Sequence, residues 1–321
     1  MKIDVHNHVI PDSAVDLLKR DPAYRTQVEG DQVRGGNHVP FTLFPSFRDP
    51  RAKLEELEAR GLDAAVVSPA PPIFFYEVRA EAGETMSRAT NRGMAEFCAA
   101  RPDRYRWMAH VPMSAPERAS AVLQEAVEEG AVGVEVGTSV AGRRLDEPDF
   151  EVFWEAAERL GTPVLIHPAY NEPNRGLEAY YLQNVIGNQL ETTVAIERLI
   201  CAGVLDRHPR LTVVLVHAGG YFPFQAGRLK HARTVRPELQ GAPSDPWAYC
   251  GQVVFDTIAH DRQALTYLIS RVGADNVVMG TDLPFDMATP EPVAALEEAV
   301  DQETARLVVQ DTPGRLYSFG D

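Results

Sequence analysis

Eight short runs rich in valine and isoleucine recur along the chain, and stretches of helical periodicity separate most of them. The runs are KIDVHNH (2–8), LDAAVVSP (62–69), YRWMAHVP (105–112), VGVEVGT (132–138), PVLIHP (163–168), LTVVLVH (211–217), QVVFDTI (252–258) and NVVMGTD (276–282). The helical stretches cover 51–60, 81–100, 115–129, 149–160, 189–204 and 262–272. Near-continuous apolar strands that alternate with helices describe a parallel sheet covered on both faces. Eight such units in 321 residues predict an α/β fold, a (β/α)8 or TIM barrel. A doubly wound open sheet is the competing arrangement, but no GxGxxG follows an early strand, so its dinucleotide-binding form has no support.

Two stretches interrupt the regular repeat. Residues 11–48 separate the first strand from its helix and are rich in glycine, proline and charge; residues 169–188 follow the fifth strand. Both insertions leave C-terminal ends of strands, the face on which barrels of this kind build their sites. No linker or internal repeat divides the chain, so 1–321 is expected to be one domain. A net charge of −15 argues against nucleic-acid partners and anionic membrane surfaces. No run of apolar residues is long enough to span a membrane. Cys98, Cys201 and Cys250 are scattered with no CxxC pair, which suits free thiols in a reducing compartment. With no apolar segment behind the charged start, the expected location is the cytoplasm.

The polar residues at the strand ends carry the chemistry. His6 and His8 end the first run, His167 the fifth, His217 the sixth and Asp282 the eighth. In an extended strand residues two apart point the same way, so His6 and His8 lie within reach of one ion, given Zn–N bonds of about 2.0–2.1 Å. Each of the five has an ordinary alternative when taken alone: a hydrogen-bonded core histidine, or for Asp282 a helix or turn cap. Together they converge on one barrel mouth, and a metal site is the economical reading. His208 sits in a polar turn, His38 and His231 lie in loop or helix contexts, His110 is inside a strand, and His260 follows the seventh strand within reach of the mouth.

These residues and the segments around them (KIDVHNHVIP, VGVEVGT, LIHPAY, LETTVAI, HAGGYFPFQAGRLKH, RPEL and GTDLPF) resemble the amidohydrolase superfamily. The resemblance is to its branch of aminocarboxymuconate semialdehyde decarboxylase and related non-oxidative aromatic acid decarboxylases. It runs over nearly the whole chain and is weakest in 11–48. It implies one divalent metal, zinc or alternatively manganese, held by His6, His8, His167 and Asp282, with His217 as acid/base beside it. Binuclear relatives bridge two metals with a carboxylated lysine at the end of the fourth strand. The four lysines here, Lys2, Lys19, Lys53 and Lys230, end no strand, and Glu135 stands in the fourth run, which favours a single ion.

A bound dication lowers the pKa of water toward about 7 and orients a carboxylate, and a histidine with an ordinary pKa near about 6.5 can carry a proton both ways. The implied activity is decarboxylation of an aromatic or unsaturated carboxylic acid, with His217 and Asp282 in acid/base roles. A hydrolase or hydratase acting on a lactone, amide or C–C bond would use the same centre. A non-catalytic binding protein would need a broken ligand set, and the set is complete. By resemblance, Arg236 corresponds to an arginine that reaches the neighbouring subunit's site, implying a homodimer. Phe41 stands where the resembled decarboxylase has a second substrate-binding arginine, and Asn184 where it has an aromatic residue. An apolar ring cannot grip a carboxylate, so the pocket is expected to differ, walled by Phe41, Phe74, Phe75, Tyr170 and Tyr181.

Overall fold

The computed structural model describes residues 1–36, 40–169, 176–239, 241–242 and 245–319. Eight parallel strands form one sheet in chain order: β1 Ile3–Val9, β2 Ala64–Pro69, β3 Tyr105–His110, β4 Gly133–Gly137, β5 Val164–His167, β6 Val213–Leu215, β7 Val253–Asp256 and β8 Val277–Val278. The sheet closes between β1 and the chain around β8. Val5 N–H donates to the Met279 carbonyl at 2.8 Å, Asp282 N–H to the His6 carbonyl at 2.8 Å, and His8 N–H to the Leu283 carbonyl at 2.7 Å. The fully buried Lys53 clasps the same seam, donating to the His8 carbonyl at 2.9 Å and to Leu283 at 3.4 Å. The fold is the (β/α)8 barrel that the alternation of runs predicts.

The surrounding helices include α1 Asp12–Arg20, α2 Pro50–Glu58, α3 Ala80–Ala99, α4 Pro116–Glu128, α5 Glu151–Leu160, α6 Gln189–Cys201, α7 Phe222–Val235 and α8 Arg262–Val272. Local chemistry sets their ends. Asp49 accepts the Arg51 N–H ahead of Pro50 at the start of α2, and Asp261 accepts the Ala264 N–H at 2.8 Å at the start of α8. Gly161, with φ 65°, ends α5 in the left-handed conformation that costs glycine little.

The 11–48 insertion is more regular than its composition suggests. It begins with α1, whose Ala14, Val15, Leu17 and Leu18 are buried, and continues as an antiparallel sheet of Thr26–Glu29, Gln32–Gly35 and Phe41–Thr42. Glycine, proline and charge in the turns mask these short elements. In the second insertion the described part winds as a π-helical turn, Gln183–Asn188, that runs into α6.

Side-chain direction in the barrel decides where the site can be. The interior is filled by Ile3, Val5, Val66, Met108, Leu165, Val214, Val254 and Val278, with Tyr317 and Phe319 among them from the C-terminal segment. Val9, Val67, Val134, Ile166, Leu215 and Phe255 face outward into the layer of helices with Phe97, Leu123, Trp154 and Ile196. In β1 the odd residues Ile3 and Val5 are therefore inside, yet Val9 is outside. The reversal occurs where Asp4 pairs with Ala65 and Asn7 with Val67: three steps along β1 match two along β2. One extra residue in a strand turns every later side chain to the other face. Asp4 Oδ1 accepts the His6 N–H at 3.1 Å inside this bulge. Past it, His6 and His8 point into the barrel.

Gly280, just beyond β8, is closely enclosed by the barrel interior. A Cβ there would lie 3.0 Å from the Cβ atoms of both His6 and Asp256, which sit on hydrogen-bonded backbone and have no room to retreat. Gly280→Ala is expected to lower stability by about 1–3 kcal/mol through overpacking, measured as a shifted urea midpoint with unchanged m-value.

Candidate metal centre

At the C-terminal mouth of the barrel four imidazoles and a carboxylate meet. Ring centroids are 5.1 Å apart for His6 and His8, 5.1 Å for His6 and His167, 5.0 Å for His8 and His167, and 5.3 Å for His6 and His217. Asp282 lies at their centre. Its Oδ1 is 3.1 Å from His8 Nε2, 3.5 Å from His6 Nε2 and 4.0 Å from His167 Nε2, and its Oδ2 is 3.5 Å from His217 Nε2. One ligand atom from each of His6, His8, His167 and Asp282 lies within 4.8 Å of all the others.

The opposite nitrogen is held from behind in His6, His8 and His167, whereas Nδ1 of His217 is buried with no hydrogen-bond partner among the described residues. His6 Nδ1 is 2.7 Å from Asp256 Oδ2. His8 Nδ1 is 3.3 Å from the Ser68 hydroxyl and 3.8 Å from Glu135. His167 Nδ1 is 2.6 Å from the Pro168 carbonyl. These contacts fix ring orientation and favour the tautomer with a free Nε2, the arrangement by which outer groups hold metal-ligating histidines. The Nε2 atoms of His6 and His167 are buried and have no hydrogen-bond partner. Three inward imidazole nitrogens and one carboxylate, two of the nitrogens orphaned, form a donor set that fits one divalent cation.

Electrostatics point the same way in the metal-free protein. Burial pushes His8 down to about 4, against a smaller upward pull from Asp282. Burial and the neighbouring rings hold His167 well below its ordinary value. Both are thus neutral and ready to ligate. Burial alone would raise Asp282, but its contacts with His217 and His8 and the nearby His6 keep it ionised, well below the usual carboxylate range. Burial would also lower His6, yet the Asp256 hydrogen bond and the charges of Asp282, Asp256 and Glu135 raise it to about 9. Glu135, inward-facing on β4, is raised to about 8 by burial.

A cavity of about 410 Å³ opens above His217 and Asp282, lined by Asn184, Tyr221, Phe224, Ile258, His260 and Met287 among others. A smaller pocket of about 60 Å³ adjoins it, bounded by His167, Tyr181, Asn184, Phe285 and Asp286. Asn184 and Tyr181 therefore lie at the mouth. Phe41 instead sits in the small antiparallel sheet, packed against the cluster around α1. Phe74 is buried and stacked on Tyr76, with centroids 5.4 Å apart, and Phe75 packs on Tyr24 at 5.1 Å; none of these three phenylalanines lines either cavity. Hydrophobic burial claims them first. Arg236 ends α7 exposed and pairs with Glu238 at 3.1 Å. Tyr170 lies outside the described residues. Asp256 is the residue that the strand-end criterion passes over, although it ends the run QVVFDTI in the same manner as the histidines.

A family model described as amidohydrolase matches residues 3–319. The chain belongs to the amidohydrolase family. It is 30% identical over 307 residues to a 2-amino-3-carboxymuconate-6-semialdehyde decarboxylase of Dictyostelium discoideum, covering 92% of this chain and 85% of that protein. It is 31% identical over 255 residues to a gamma-resorcylate decarboxylase of Rhizobium, covering 74% of this chain and 77% of the relative. The fold superposes on a 5-carboxyvanillate decarboxylase of Novosphingobium aromaticivorans complexed with manganese and 4-hydroxy-3-methoxy-5-nitrobenzoic acid. That match has a TM-score of 0.80 at 20% identity and covers 99% of this chain and 96% of that one. The amidohydrolase therefore lies in the decarboxylase branch that its motifs resemble.

A cation at His6 Nε2 must displace the proton that the raised pKa retains there. Metal affinity is therefore expected to rise about tenfold per pH unit between about pH 6 and 8 and to level off above about 9, with roughly one proton released per ion. Chelator-buffered titrations at several pH values measure this slope.

Proposed function

We propose that the chain is a metal-dependent carboxy-lyase that removes carbon dioxide from an aromatic carboxylic acid. The observation that carries this reading is the convergence of three imidazole Nε2 atoms and Asp282 at the floor of an apolar-walled cavity, with His217 on the opposite carboxylate oxygen. His6, His8, His167 and Asp282 would hold one divalent cation, zinc by the donor set or manganese as in the solved relative. When bound, it supplies the positive charge that binds and orients a carboxylate.

The rest falls to this chain's own residues. Ile258, Phe224 and Met287 offer the ring an apolar wall, while Asn184, Tyr221 and His260 offer neutral or switchable hydrogen-bonding groups. The reaction exchanges a carboxylate for a proton on one ring carbon. His217 Nε2, in its protonated form, delivers that proton. The C–C bond electrons then return to the ring as carbon dioxide leaves. Asp282 Oδ2, 3.5 Å from His217 Nε2, holds that nitrogen facing the site. The hydrolytic reading of the same centre is not favoured, because the relatives reported above are decarboxylases.

A homodimer is proposed as the working unit. Supporting it, Phe224 (64% exposed), Val235 (59%) and Arg236 share α7 or its end, and Tyr180 stands 92% exposed in the insertion after β5. Cys98, Cys201 and Cys250 are all free thiols, which suits a cytoplasmic setting. No helix among the described residues is long and apolar enough to cross a membrane.

Incubation with ring-hydroxylated benzoic acids and manganese or zinc in deuterated water is expected to release carbon dioxide and to place one deuterium at the vacated carbon. A product that gains solvent oxygen without carbon dioxide release would refute the assignment. His217→Ala is expected to lower kcat about 10²–10⁴-fold while metal content, measured by atomic emission, stays at the wild-type level. His167→Ala is expected to lose both; equal metal content in His167→Ala and wild type would remove His167 from the ligand set.

A further inference from the structure

We infer that Asp256, at the end of β7, is a positioning residue that sets two parts of the site at once: the tautomer of His6 and the turn that carries His217. The inference rests on the metal-site reading above and not on the identity of the substrate.

Asp256 is fully buried and lines neither cavity at the mouth. Its carboxylate is nevertheless surrounded by donors. Oδ2 receives His6 Nδ1 at 2.7 Å and the His217 backbone N–H at 2.9 Å. Oδ1 receives the Ala218 N–H at 2.7 Å and the Ile258 N–H at 2.9 Å. Four donors fill the lone-pair positions of one carboxylate. A group saturated in this way stays ionised and has no capacity left for substrate.

The second contact explains an otherwise costly backbone. His217 and Ala218 have φ values of 53° and 55°, and Gly219 and Gly220 continue at 75° and 62°. The left-handed region is unfavourable for the first two, which carry a Cβ. Successive N–H groups in such a turn point to one side and form a concavity that binds an anion. Here the anion is Asp256. The turn also corrects a directional problem. Val214 and Val216 point into the barrel, so simple alternation would send residue 217 outward. The left-handed step at His217 brings its ring back over Asp282. One carboxylate therefore aims a metal ligand through its ring and the proton carrier through its main chain.

An amide at position 256 separates these roles from substrate contact. Its single oxygen can serve backbone N–H groups, but its NH2 faces His6 Nδ1 and draws the imidazole proton to Nε2, the atom that must ligate. In Asp256→Asn the Kd for Mn²⁺, measured by chelator competition without substrate, is expected to rise about 10–100-fold. At saturating Mn²⁺, kcat is expected to fall with KM within about twofold of wild type, because Asp256 touches no substrate. The kcat loss is expected to vanish in a His217→Ala background, since both changes act through one imidazole. A folded Asp256→Asn protein with wild-type Kd, or one that changes KM alone, overturns the inference, as does a kcat loss that persists undiminished without His217.

If the single variant does not fold, Asp256→Asn combined with Ala218→Gly supplies the protein to test, because glycine adopts the left-handed turn without help from the carboxylate. The Kd is expected to stay raised there, since relaxing the turn does nothing for His6; recovery of wild-type affinity overturns the inference. Wild-type protein that binds Mn²⁺ but decarboxylates nothing would sink the proposed function and leave the Kd comparison standing.

Discussion

Seven ionisable side chains share a nearly dry volume at the barrel mouth, and each is tolerable there only because the others are present. A lone carboxylate or imidazolium taken out of water loses several kcal/mol of hydration, and only opposite charge and hydrogen bonds return it. Asp282 holds its charge because His217 and His8 approach its oxygens and His6 is close. His6 holds its proton because Asp256 accepts from it. His8, with two histidines beside it and burial against it, gives its proton up. Without an ion the cluster balances His6 against Asp282 and Asp256 and leaves the inward Nε2 atoms of His6 and His167, and Nδ1 of His217, unpartnered. A divalent cation would resolve that imbalance, so the electrostatics of this mouth suit a cation before any substrate is considered.

Such a cluster needs a backbone that delivers every side chain to one point. Three local departures from regular strand do this. The extra residue in β1 turns His6 and His8 inward after Ile3 and Val5 have already filled the interior below. The left-handed residues His217 and Asp282 re-aim side chains after their strands have ended. Gly280 leaves room for His6 and Asp256 to approach. Each device costs stability by itself, and each is compensated by a contact of the site: Asp4 on the His6 N–H, Asp256 on the 217–218 turn, and the β1–β8 seam clasped by Lys53. The binding geometry and the closure of the barrel thus share the residues His6, His8 and Asp282, whose main chains form the seam and whose side chains form the site.

The walls of the cavity follow a different logic. They come from the turn after β6, the loop after β7, the chain past β8, the π-helical turn before α6 and the first turns of α7 and α8, segments that meet only when the barrel has closed. Phe41 and Phe74 are drawn away from the pocket by apolar contact: Phe41 packs half-buried against the cluster around α1, and Phe74 is buried in the helix layer. His260, Tyr221 and Met287 occupy the mouth instead, presented by turns whose direction depends on how the strands before them end.

The architecture, and the set of polar residues gathered at its mouth, were readable from the chain alone. Eight β-branched runs separated by amphipathic stretches have one economical way to bury themselves, and a polar residue at the tip of such a run must emerge at one end of the barrel. Strand-end position is a property of the chain alone, which is why His6, His8, His167, His217 and Asp282 were legible; Asp256 shares that position, but only its contacts across the barrel mark it out. The tertiary structure alone decided which way those tips face. The parity of β1 depends on a pairing register with β2, and the direction of His217 depends on an anion from β7, about forty residues further along the chain; neither is encoded within the segment it controls. The cavity walls were decided there as well, because an aromatic ring goes to the deepest apolar volume on offer, and that volume exists only once the barrel has closed.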